Sequence, residues 1–109
     1  MKKIIRTLEL DLSPFRLKEF QVEEGAIQVK EPMLLTPYMS EDEQLLCLDY
    51  EAWDLMVYAP TRQELMQELQ EHMEMLWIEF ATEDDEILDA SAKELKQRLL
   101  QDLTFTPNA

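Results

Sequence analysis

Trp53-Asp54-Leu55-Met56-Val57-Tyr58-Ala59-Pro60-Thr61-Arg62-Gln63-Glu64-Leu65, continued to Leu76-Trp77-Ile78-Glu79-Phe80, is the stretch on which the fold turns. Before Pro60, Trp53, Leu55, Val57 and Ala59 fall on one face of an extended chain and Asp54, Met56 and Tyr58 on the other, the period of a half-buried strand. Pro60 biases Ala59 toward extended backbone. Thr61 and Glu64 then have capping-box spacing, the hydroxyl and the carboxylate each satisfying a free amide of the first turn. Beyond the cap, Leu65, Met66, Leu69, Met73, Leu76, Trp77 and Phe80 share an arc of about 120°. This predicts a helix from about 61 to 80 whose apolar stripe is the centre of the core. Such a methionine and aromatic stripe is core packing rather than a cofactor box.

Upstream of this stretch the chain reads as strands. Residues 4–12 alternate, with Ile4, Leu8, Leu10 and Leu12 on one side, and Ser13-Pro14 ends the run. Residues 17–23 and 26–31 read as a hairpin turning at Glu24-Gly25, where Gly25 would take a positive φ. Met33-Leu34-Leu35 is a short apolar run, Ser40 to Glu43 is a polar turn, and Gln44 to Tyr50 suits a buried strand.

Downstream, residues 81–89 form an acidic connector. Ser91 and Glu94 repeat the capping-box spacing, and Ala92, Leu95, Leu99 and Leu103 share a stripe, predicting a helix over about 91–103. The tail from Thr104 is a short edge strand or a frayed end. The predicted fold is α+β: a curved, mostly antiparallel sheet of four to five strands packed against one long helix, with a second C-terminal helix, in a single domain.

A chain of 109 residues buries enough surface to fold without a metal or disulfide staple. Its lone cysteine, Cys47, has no intrachain partner, and the first residues lack a signal-peptide pattern, so a reducing cytoplasm is expected. One glycine in the whole chain argues against phosphate-cradling loops. No apolar run approaches the length of a membrane span.

The formal net charge is −14. Residues 1–40 balance, with six basic and six acidic side chains, whereas residues 41–109 carry four basic and eighteen acidic ones. Such a surface repels phosphate backbones and attracts a basic protein. A basic protein partner is therefore expected, with no direct nucleic-acid or membrane binding. Simple solubilisation of a small domain is the plainer account of the charge.

No catalytic, cofactor-binding or metal-binding residue is assigned. His72 and Cys47 would form a nucleophile pair only if adjacent in space; Cys47 lies in an apolar run and His72 borders the helical stripe, so both read as structural. Glu83-Asp84-Asp85-Glu86 lacks the alternating ligands and central glycine of a calcium loop. Asp49 and Glu51 share a strand face that Asp54 does not, which works against a magnesium site.

The outer side of the long helix is more informative. Glu64, Glu68, Glu71 and Glu74 follow one another at i,i+3 or i,i+4 spacing, where like charges repel. Met75 and Ile78 lie among them, off the main stripe. Glu68, Glu71, Glu74, Met75 and Ile78 are the candidate partner-binding residues. Two other classes stay open: a small enzyme or ligand-binding domain using carboxylates near Asp49 to Asp54, and a homodimeric structural module with no external ligand.

The run Asp54-Leu55-Met56-Val57-Tyr58-Ala59-Pro60-Thr61-Arg62-Gln63-Glu64-Leu65, with a tryptophan near the end of the following helix, resembles the HicB-like antitoxin domains. Ala59-Pro60 stand here where those domains usually carry a glycine before the capping threonine. The resemblance implies a small curved antiparallel sheet against a helix, and a non-enzymatic protein that neutralises a basic, RNA-cleaving toxin. The DNA-binding segment common in that family is not matched, because Lys93, Lys96 and Arg98 are offset by Asp89, Glu94 and Asp102.

Overall fold

The computed structural model describes residues 11–108, and the strand expected over 4–12 falls almost wholly outside them. The described chain is α+β, with two α-helices and six strands in two three-stranded antiparallel sheets. The first sheet holds β1 (Phe15–Val22), β2 (Gly25–Leu35) and β6 (Leu103–Pro107), with β2 in the middle. The second holds β3 (Tyr38–Met39), β4 (Leu46–Tyr50) and β5 (Leu55–Ala59), with β4 in the middle.

The single sheet of four to five strands is thus corrected to two small ones. The strand β2 is itself irregular. Its ladder with β1 changes register between Leu17, opposite Met33, and Glu19, opposite Gln28, so the residues around Pro32 bulge out. Proline has no amide for a ladder and is tolerated at such a bulge. Thr36-Pro37 then separates β2 from β3. Met33-Leu34-Leu35 continues β2 beyond the bulge rather than standing alone.

The hairpin between β1 and β2 also departs from expectation. Val22 pairs with Gly25, so the turn residues are Glu23 and Glu24, and Gly25 opens β2. No glycine has positive φ. Gly25 is needed for a different reason: a Cβ there would lie 2.8 Å from the Cα of Pro107 and 2.9 Å from Cζ of Phe105, and closer still to the carbonyl of Thr106. The absent side chain lets β6 lie against β2.

Helix α1 spans Arg62–Leu76. Thr61 is its N-cap, with the hydroxyl accepting from the Glu64 amide at 3.2 Å as the spacing predicted, while the reciprocal bond from the Thr61 amide to the Glu64 carboxylate is not formed. Arg62 ties this end of α1 to the chain entering β1, donating to the carbonyls of Asp11, Ser13 and Pro14 and standing 3.9 Å above the Phe15 ring. Leu65, Leu69, Met73 and Leu76 are buried against the inner faces of both sheets. Met66 is 48% exposed and drops out of the predicted stripe, while Trp77 and Phe80 are half-buried.

Residues Trp77–Ala81 continue α1 as one wide π turn, closed by the Thr82 amide donating to the Trp77 carbonyl. Helix α2 spans Ala90–Asp102 and packs on this turn. The capping box expected at Ser91 is not used. Asp89 is the N-cap, its carboxylate accepting from the Ala92 amide at 2.9 Å; an aspartate is as good a cap as a serine and comes two residues earlier.

Before β5, Glu51–Trp53 form a short 3₁₀ turn rather than strand, and Asp54 leaves it at φ 52°. The face assignment survives: Trp53, Leu55, Val57 and Ala59 are buried, and Asp54, Met56 and Tyr58 are exposed. The fully buried Trp53 donates its indole N–H to Asp102 at the end of α2 over 2.8 Å, and Tyr50 meets its ring edge-on. Asp102 also accepts from Arg98 at 2.7 Å. Burial raises the Asp102 carboxyl, but the bonds from Arg98 and Trp53 outweigh it and hold the group below its usual range.

Candidate functional site

The outward side of α1 carries the predicted acidic row. Glu64, Glu68 and Glu71 are exposed and Glu74 is half-buried. Among the described residues there are three ion pairs: Arg62 with Asp11, Lys96 with Asp85, and Arg98 with Asp102. Three of the four basic residues beyond residue 40 are therefore engaged away from the helix glutamates, and only Lys93 is left. Ile78 is 60% exposed at the end of the row. Met75 is not free in the same way: it is half-buried and packs against the core, because the apolar cover near the end of α1 is wider than its stripe.

Glu74 and Ile78 belong to a cavity of about 370 Å³ that the sequence did not foretell. It is lined by the apolar Val22, Trp77, Ile78 and Phe105, by Thr82, and by the acidic Glu23, Glu24 and Glu74. Three elements build it. The β1–β2 turn supplies Glu23 and Glu24, β6 supplies Phe105, and the junction of α1 with the π turn supplies Glu74, Trp77 and Ile78. The Trp77 and Phe105 rings stack at 5.8 Å between centroids. Asn108 holds β6 to the turn, its amide donating to the Glu24 carbonyl at 2.9 Å and its side chain to the Glu23 carbonyl at 3.2 Å. Gln70 reaches from α1 to the carbonyl of Gln21, closing the same corner. Thr82 donates its hydroxyl to the Ile78 carbonyl at 2.9 Å and steadies the π turn.

No protein-family model matches this chain, and no curated protein and no solved structure matches it either.

The other candidates from the sequence are not brought together. Cys47 pairs in register with Tyr38 and Tyr58 on the outer face of the second sheet. Helix α1, which carries His72, packs on the inner face, so the sheet separates thiol from imidazole. Among the described residues no group of three or more His, Cys, Asp or Glu side chains is placed to hold a metal ion. The Asp49 carboxylate instead faces Tyr38, and its interaction with the hydroxyl, ahead of burial, pushes that group above its ordinary value. In the acidic connector, Asp85 is bonded to Lys96 at 2.9 Å and held below the usual carboxylate range by it. No helix of the described residues is long and apolar enough to cross a membrane.

A second, larger cavity of about 550 Å³ lies at the Pro32 bulge, between β2 and α2. Most of its charged groups have partners: Arg98 holds Asp102, and Lys30 donates to the Leu100 carbonyl at the end of α2, while Glu31 forms no ion pair among the described residues. It is a seam of the fold, whereas the carboxylates around Trp77 have no cationic partner among the described residues.

Proposed function

We propose that this is a non-catalytic protein-binding domain that docks a basic partner along the outer side of α1, from Glu68 through Glu71 and Glu74 to Ile78. The observation that carries it is the continuity of an unpaired carboxylate row with an exposed apolar patch at one end of one helix. Like charges along a helix cost stability, and an apolar patch bordered by charge is the usual composition of a recognition surface. The resemblance of residues 54–65 to HicB-like antitoxin domains supplies the partner's class, a basic RNA-cleaving toxin that the domain would inhibit by covering it. Carboxylates would steer the partner to the surface, and Ile78 would supply buried apolar contact.

The test is paired capture from the native host. The wild-type domain and the triple variant Glu68→Gln, Glu71→Gln, Glu74→Gln are immobilised side by side, with Ile78→Asp as a third bait. A basic protein retained by the wild type and lost from the other two supports the proposal. Equal capture by all three baits defeats it and leaves the charge as a solubility device.

A further inference from the structure

We infer that the cavity lined by the stacked Trp77 and Phe105 rings receives an arginine side chain of the partner. This inference rests on the protein-binding function proposed above and names what the site takes. Apart from its carboxylates the lining is apolar but for Thr82, whose hydroxyl is already bonded to the Ile78 carbonyl, so an aliphatic stem fits it without loss of hydrogen bonds. The three carboxylates in the lining take part in no ion pair among the described residues, so the head of that stem must be cationic. A phosphate, a fatty carboxylate or a nucleotide would meet only like charge there.

The lining also discriminates among cations. Glu23, Glu24 and Glu74 line the cavity but, among the described residues, belong to no group placed to hold a metal ion. A small metal ion needs convergent oxygens. A guanidinium is broad, planar and weakly hydrated, can bond two carboxylates at once, and lies well against aromatic rings. An ammonium is a strongly hydrated point charge and gains less from an aromatic wall. The volume, about 370 Å³, is at the low end for ligand sites, which suits one side chain rather than a cofactor.

The experiment titrates N-acetyl-arginine methylamide into the isotope-labelled domain and follows the two indole N–H resonances. Trp77 lines the cavity, while Trp53 is buried with its N–H on Asp102 and serves as internal reference. The expected result is a saturable shift at Trp77 and none at Trp53. The lysine analogue should bind more weakly and the norleucine analogue not at all. The double variant Glu24→Gln, Glu74→Gln should lower the arginine affinity about fivefold or more with the spectrum otherwise unchanged. Shifts confined to the α1 amides between Glu64 and Glu71 would overturn the cavity as the site while leaving the acidic helix as a docking surface. Equal binding of norleucine, or no shift at Trp77, would also overturn it. Failure of the docking surface itself is read separately, by capture that is indifferent to the glutamates.

Discussion

Replacing Gly25 by alanine tests how the cavity is built. A methyl group at this position would stand 2.8 Å from the Pro107 Cα and 2.9 Å from Cζ of Phe105, with the Thr106 carbonyl nearer still. Two of these three neighbours are backbone, so the clash cannot be relieved by turning a side chain. Overpacking of this kind costs about 1–3 kcal/mol. The more restricted unfolded chain returns about 0.4–1 kcal/mol, leaving a net loss of about 1–2 kcal/mol. The displaced element is β6, whose ladder to β2 starts at Gly25 opposite Pro107 and runs to Val29 opposite Leu103. Its free end should move most. Urea unfolding measures the global loss, and amide exchange at Asn108, which donates to the Glu24 carbonyl, measures the local one. The expected outcome is a lower midpoint, fast exchange at Asn108, and a Trp77 signal altered by the departure of Phe105. An unchanged midpoint with Asn108 still protected would refute the close-approach account of this glycine.

Three further outcomes are expected. Asp102→Ala strands the buried Trp53 indole N–H and should cost about 1–3 kcal/mol by denaturant midpoint. Asp102→Asn keeps an acceptor for Trp53 but removes the charge. Because the folded-state pKa of Asp102 is lowered from 3.8, its contribution is complete above that value and is lost as the pH falls through the folded value. The stability gap between wild type and Asp102→Asn should therefore close in acid titration below about pH 4 and not at neutral pH. Thr61→Ala removes the cap on α1 and should cost about 1 kcal/mol in the same unfolding assay.

The parts of the fold that were legible in the sequence are those set by local chemistry. Thr61 and Glu64 mark the start of α1 because a capping hydroxyl three residues before its amide is a purely local geometry. The alternation from Trp53 to Ala59 gives the buried face correctly even though Glu51–Trp53 turn out to be a 3₁₀ turn, since that turn hands Trp53 to the same side as the strand. What was not legible depends on partners distant in sequence. Gly25 could be read as a turn glycine, but its real neighbour is β6, some eighty residues away. The continuation of β2 past a bulge at Pro32 was marked in the sequence only as a strand end, because the pairing that resumes there, Leu17 opposite Met33, is with a distant segment.

The same distinction explains the site. The glutamates and Ile78 were visible because they share one helix. Met75 shares that face by helical angle, yet tertiary packing half-buries it. Glu23, Glu24 and Phe105 were invisible as site residues because only the pairing of β6 with β2 brings them to Trp77. The alternation Leu103-Thr104-Phe105-Thr106 was the one available signal: it marks a strand with Leu103 and Phe105 on the same side, and Trp77 is the aromatic that Phe105 meets.

The central claim is that opposite charge brings a partner to the outer side of α1, and the association rate as a function of salt tests it most directly. Exposed charges are screened over about 8–10 Å at physiological ionic strength. For the captured partner, the wild-type on-rate should fall steeply between low and high salt. The Glu68→Gln, Glu71→Gln, Glu74→Gln variant should start slower and fall less, with its unfolding midpoint unchanged or slightly raised. An on-rate indifferent to salt, or the same salt slope in the variant, would contradict the claim.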